Sequence, residues 1–125
     1  YVAARGLPVR RLVLLAPPAS PHAYTRLFAQ VFGLSERTRA RMQQLVEARE
    51  GILMRQFEPA AVGPRVRAAT LIVHDREDRI NRFADAEAFR DAIADARLME
   101  TEGLGHTRLL RDDAVLQAVL THVKA

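Results

Sequence analysis

The 125-residue sequence contains no cysteine, no tryptophan and a single lysine, Lys124. Without cysteine there is no disulfide, no thiol nucleophile and no cysteine-based zinc site, and the chain suits a reducing compartment. The expected location is cytoplasmic. No apolar run approaches the roughly 20 residues that a membrane helix needs, and the N-terminal residues lack the basic-then-apolar layout of a signal peptide. No membrane partner is expected. Internal repeats and low-complexity segments are absent as well. Serine is scarce: Ser20 and Ser35 are the only two, and neither is flanked by glycines.

What is present describes an ordinary globular domain. Hydrophobic residues make up 49% of the chain and charged residues 27%, a mixture that folds rather than stays disordered. The length suits one domain with a modest core. The net charge of +4 comes almost wholly from arginine and is unevenly spread. Up to Arg67 there are 11 basic and 4 acidic residues, and from Ala68 on there are 8 basic and 11 acidic. Nucleic-acid recognition would want basic residues clustered on one face with aromatics between them. Arg37, Arg39, Arg41 and Arg49 instead read as a solvated helix face without aromatic neighbours, so no nucleic-acid partner is expected.

The pattern alternates between strands and helices. Tyr1 to Arg5 reads as a last helical turn stopped by Gly6, which suggests that something preceded it. Arg11 to Ala16 is a continuous apolar run, the mark of a strand buried on both faces of a parallel sheet. Residues 21–64 read as a helical insertion. Ser20 caps its first helix and Pro21 opens it, while Ser35 caps its second. Tyr24, Leu27, Phe28 and Val31 form a stripe that fits either a substrate pocket or packing beneath the sheet. The β-branched run at Thr70 to Val73 then predicts a central strand that delivers His74, Asp75 and Asp78 to its end. A helix from about Ala84 to Asp95, a short strand at Arg97 to Thr101 and a closing helix capped by Asp112 follow. On that last helix Val115, Leu116, Val119, Leu120 and Val123 are expected on the packed side. The expectation is an α/β fold of three layers, α/β/α, with a parallel sheet of about three strands and right-handed crossovers. Residues 1–125 would form one domain.

In open parallel sheets, functional groups collect at the carboxyl ends of the strands. Asp78 and His106 both follow strands, so they should meet on one rim. An aspartate accepting from the imidazole Nδ1–H fixes the tautomer and leaves Nε2 free to act as a general base. Gly103 and Gly105 give the turn before His106 the backbone freedom to aim the ring. Asp75 and Glu77 are expected to be solvent-exposed and loosely paired with Arg76 or Arg79. His74 is expected to pack in the core, and His22 and His122 suggest no role. A competing reading gathers His74, Asp75, Asp78 and His106 into a zinc or iron site. It conflicts with strand geometry, since adjacent strand residues point to opposite faces.

The segment from Thr70 to His106 resembles the C-terminal part of an α/β-hydrolase. That family ends one strand in His-Gly-x-x-Asp, matched by His74-Asp75-Arg76-Glu77-Asp78 with Asp75 in the glycine position. It places its histidine in Gly-x-Gly-His, matched without departure by Gly103-Leu104-Gly105-His106. The family often has Val-Pro shortly after its acid, where this chain has Ile80-Asn81. The resemblance covers nearly the whole chain in order and implies that Asp78 is the triad acid, His106 the triad base and residues 21–64 a lid. The family's Gly-x-Ser-x-Gly nucleophile elbow is absent, so the nucleophile is expected before Tyr1, and the chain alone is expected to be inactive. What the resemblance implies is a serine hydrolase acting on a small ester or other acyl compound, with no cofactor and no metal. The dehalogenase and epoxide-hydrolase branch shares this layout, and a non-catalytic α/β binding or assembly module is the alternative of another class. The open edges of a three-stranded sheet are expected to be sticky and to promote self-association.

Overall fold

The computed structural model describes residues 1–125. Strands β1 (Arg11–Leu15), β2 (Ala69–Asp75) and β3 (Ala96–Thr101) form one parallel sheet in the order β1-β2-β3. Val13 is paired with Leu71, and Ile72 with Leu98. The β-branched run places β2 at the centre, where Leu71, Ile72 and Val73 are at most 1% exposed. The first strand departs from expectation. Its residues are only partly covered, and Leu15 is exposed, because a strand with one neighbour keeps one edge and part of each face open.

Two apolar layers flank the sheet, giving the three-layer arrangement. Strand alternation sends Val13, Leu71, Val73 and Met99 to one face, where they meet Leu109, Val115 and Val119. Leu12, Leu14, Ala68 and Ala96 face the opposite layer with Phe89 and Ile93. Helix α4 (Phe83–Ala92) covers the second face and helix α6 (Asp113–Lys124) the first. The Asp112 carboxylate caps α6 by accepting the Val115 N–H at 3.0 Å. The packed side of α6 is Val115, Ala118, Val119 and the buried His122, while Leu116, Leu120 and Val123 are exposed. That corrects the expected face. His122 fixes the rotation of the helix, because its Nε2 sits 3.2 Å from the Leu12 carbonyl and 3.0 Å from the Ala69 carbonyl, bridging β1 to β2.

The insertion is helical as expected. It comprises α1 (Pro21–Val31), α2 (Glu36–Glu50), a 3-10 turn at Met54–Phe57 and α3 (Pro59–Val62). Ser20 Oγ accepts the His22 N–H at 3.1 Å and Ser35 Oγ accepts the Thr38 N–H at 3.2 Å, so both serines are helix caps. Arg39 does not lie on a solvated face. It is 6% exposed, and its guanidinium donates to Thr25 on α1 at 2.9 Å, to Gln43 at 2.8 Å and to Glu36. A fork of five N–H donors can satisfy all three acceptors at once and so joins α1 to α2. Downstream, α3 leads into a 3-10 turn at Gly63–Arg65 that lies against α4, and a Cβ on Gly63 would meet the Ala92 Cβ at 2.4 Å.

Candidate active site

The site begins where β2 runs out. The Asp78 N–H donates back to the Asp75 carbonyl at 3.2 Å, closing a tight turn that reverses the chain. Within that turn Asp78 Oδ1 accepts the N–H groups of Ile80 at 2.7 Å and Asn81 at 3.0 Å, while Oδ2 points to His106. On the neighbouring strand, β3 ends at Thr101. Gly103 at φ 78 and Gly105 at φ 63 then take left-handed backbone conformations that side chains rarely adopt. They turn the chain into the short helix α5 (Gly105–Arg108), where His106 sits.

The two sequence-identified residues meet. His106 Nδ1 lies 2.8 Å from Asp78 Oδ2. The Asp78 side chain is closed off from solvent, while that of His106 is 32% exposed. Burial works to raise the Asp78 carboxyl, but hydrogen bonds from His106, the Asn81 N–H and the Ile80 N–H outweigh it and leave the group below 3.8, its ordinary value. Asp78 is therefore a carboxylate at neutral pH and can only accept, which requires the proton on Nδ1 of the ring. The lone pair of the neutral imidazole is then on Nε2, on a ring that solvent and solutes can reach.

His74 is a core residue as expected, fully buried with its ring edge against Phe83 at 5.8 Å between centroids. It also touches the site from behind, since its Nε2 is 3.1 Å from the Asn81 carbonyl and 3.3 Å from Asp78 Oδ2. A carbonyl only accepts, so the proton is on Nε2, and Nδ1 is a buried nitrogen without a partner.

Asp75 is where the sequence reading fails. Rather than exposed and paired with arginine, it is fully buried. Oδ2 accepts from the Thr101 hydroxyl at 2.7 Å and the Leu104 N–H at 3.0 Å, and Oδ1 accepts the Glu77 N–H at 3.0 Å. Burial opposes the charge, and these hydrogen bonds, with the Gly105 N–H close by, overcome it and hold the carboxyl below its ordinary value. Asp75 thus clasps the end of β2 to the turn that carries His106. Glu77 is exposed as expected, but Arg76 pairs with Glu100 instead. The strand parity that turns Asp75 toward Thr101 turns His74 toward Asn81, so Asp75 stands apart from His74, Asp78 and His106, and the four residues of the competing metal reading share no common centre. No group of three or more histidine, aspartate or glutamate side chains stands in metal-holding geometry.

One cleft adjoins the pair, and two others follow on from it through shared lining residues. The first, of about 340 Å³, holds His106 between Glu77, Arg79 and Arg108. A second, of about 600 Å³, shares Arg79 and Ile80 with the first and is lined by Tyr24, Asn81 and Asp85. A third, of about 640 Å³, shares Tyr24 with the second and is walled by Pro18, Pro21, Phe28, Met54 and Phe57. The α1 stripe therefore does not pack beneath the sheet. Tyr24 and Phe28 line this apolar cavity, and Leu27 and Val31 are exposed. No helix is long and apolar enough to cross a membrane.

No protein-family model matches the sequence, and no curated protein matches it either. Solved structures do. Rv0554 from Mycobacterium tuberculosis superposes with a TM-score of 0.62 at 16% identity, over 94% of this chain and 58% of that one. A serine hydrolase involved in carbazole degradation, the CarC enzyme, gives 0.58 at 16% identity over 93% of this chain and 54% of its own. MGS-MChE2, an α/β hydrolase enzyme from a lagoon-sediment metagenome at Mar Chica, Morocco, gives 0.56 at 18% identity over 90% and 48%. The chain spans about half the length of the structures it matches. Its three parallel strands and flanking helices form a partial α/β-hydrolase fold.

Proposed function

We propose that this chain supplies the acid, the base and the lid of a serine hydrolase that acts on an ester or related acyl compound. The carrying observation is the 2.8 Å contact between His106 Nδ1 and the buried Asp78 carboxylate at the carboxyl ends of adjacent strands. In this reading the attacking serine lies outside residues 1–125, because Ser20 and Ser35 are engaged as helix caps. The apolar cavity beneath α1 supports an acyl substrate, since its walls offer hydrophobic burial and few polar partners.

The steps follow from the protonation states. As the serine oxygen attacks the acyl carbon, His106 Nε2 takes its proton, and the Asp78 carboxylate stabilises the resulting imidazolium. The ring then returns that proton to the departing alcohol, leaving an acyl-enzyme. Water attacks next with Nε2 again accepting the proton, and the serine recovers it as the acid leaves.

The test compares hydrolysis of p-nitrophenyl esters by the 125-residue chain and by the longer protein that contains it. The longer protein should turn over, and His106→Ala should abolish that turnover. Asp78→Asn should lower kcat by on the order of 10⁴ by imposing the wrong tautomer. Turnover in the longer protein that survives His106→Ala would refute the assignment. Turnover by the 125-residue chain itself would refute the placement of the nucleophile outside it.

A further inference from the structure

Asn81 lies at the crossing of three elements. Its backbone N–H donates to Asp78 Oδ1 at 3.0 Å, and its carbonyl accepts from His74 Nε2 at 3.1 Å. The side-chain amide donates to the Ala16 carbonyl at 2.6 Å, and the side-chain oxygen accepts from the Tyr24 hydroxyl. Asn81 is 6% exposed, so each of these bonds replaces a contact with water. Ala16 is the one non-glycine residue with a positive φ, at 45°. That conformation is unfavourable for a residue with a Cβ, and it persists where surrounding structure fixes it. Here the surrounding structure includes the Asn81 amide.

The same residue thus grips the end of β1, the first helix of the insertion and the acid's turn. We propose that Asn81 is a positioning residue that ties the seating of α1 to the geometry of Asp78, so that displacing Tyr24 loosens the carboxylate's hold on His106. The functional meaning rests on the reading of Asp78 and His106 as acid and base, but the linkage itself needs no catalysis to be measured. Tyr24 carries the signal from the insertion. Burial, with the carboxylates of Asp85 and Asp78 nearby, raises its phenol above the ordinary value, so at neutral pH it stays a hydroxyl able to donate. Other titratable or charged groups near Asp78 are His74 on β2, His106 on α5, Asp85 on α4, and Glu77, Arg79, Arg82 and Arg108 lining the clefts. The substitutions below leave all of them in place.

Tyr24→Phe removes one hydroxyl from a side chain that is already partly exposed, and Asn81→Ala removes the side-chain grip while keeping the backbone donor. The chain, fused to a solubility partner, is titrated by carboxyl-carbon NMR at Asp78, and the His106 Nδ1–H proton is followed in the same samples. Tyr24→Phe should raise the Asp78 midpoint by roughly 0.3–0.5 of a pH unit, a two- to threefold gain in proton affinity, and broaden the Nδ1–H signal. In the Asn81→Ala background the same change should add nothing, because the connection is already cut. Wild-type midpoint and Nδ1–H signal in Tyr24→Phe would overturn the proposal. An equal shift in both backgrounds would also overturn it, showing that Tyr24 acts on Asp78 directly. If Asn81→Ala fails to fold, Asn81→Ser, whose shorter side chain cannot reach Tyr24 and the Ala16 carbonyl together, takes its place as the second background. Ester turnover does not enter the measurement, so a failed linkage and a failed hydrolase assignment are separately visible.

Discussion

Replacing Asp75 by asparagine tests the clasp that positions His106, and the structure sets its size. The wild-type carboxylate serves three donors, with Leu104 N–H and Thr101 Oγ on one oxygen and Glu77 N–H on the other. Asparagine has the same shape but only one accepting atom. If its oxygen faces Leu104, its amide faces the Glu77 N–H; if it is flipped, the amide faces Leu104. Either way one backbone N–H meets another donor, which costs about 1–3 kcal/mol, and the remaining bonds lose charge assistance worth about 1 kcal/mol. A total near 3 kcal/mol corresponds to a fall in Tm of about 12 °C for a domain of this size. The assay is thermal unfolding of the wild-type chain and Asp75→Asn side by side, with hydrogen exchange followed at individual amides. Protection should fall furthest at the Leu104 amide, by at least about tenfold, beyond any loss along β2. A Tm within about 2 °C of wild type, with Leu104 as protected as before, would refute the clasp.

The same two carboxylates set the acid limit. Asp75 and Asp78 both have folded values below 3.8, so the unfolded chain binds protons more readily. Their stabilisation is complete above about pH 5 and drains away as pH falls through 3.8 toward the folded values. Urea midpoints measured from pH 6 down to 3 should fall, and more shallowly in Asp75→Asn, whereas a pH-independent midpoint would contradict both assignments. Gly63→Ala should destabilise by about 1–3 kcal/mol, because the added Cβ would lie 2.4 Å from Ala92 Cβ and 2.7 Å from its backbone. A chemical-denaturation midpoint equal to wild type would show that α3 can move aside. Sheet edges left open at β1 should drive self-association, visible as concentration-dependent sedimentation, and a monomer at all concentrations would argue against it.

Where the residues' own periodicity decides, the sequence was legible. The apolar run of β2, the helix caps at Ser20, Ser35 and Asp112, and the pairing of Asp78 with His106 could all be read in advance. Each depends on near neighbours in the chain, or on the rule that strand ends share a rim. Asp75 was misread because a carboxylate among charged residues has the composition of an exposed loop, and only a turn 29 residues away supplies the donors that bury it. Arg39 was misread for the same reason, since Thr25 on another helix provides its partner. Asn81 carried a faint signal, standing where the family that the sequence resembles often has proline, but its reach to Tyr24 and Ala16 spans 57 and 65 residues.

By itself, then, the sequence determined the order of strands and helices, because apolar spacing and caps act locally. It also determined which carboxylate and which imidazole would face each other, because parallel strands bring their ends to one rim. Only the tertiary structure decided which polar groups would be buried around that pair. A buried charge is stable only beside donors that the chain brings from far away, and local pattern holds no record of them.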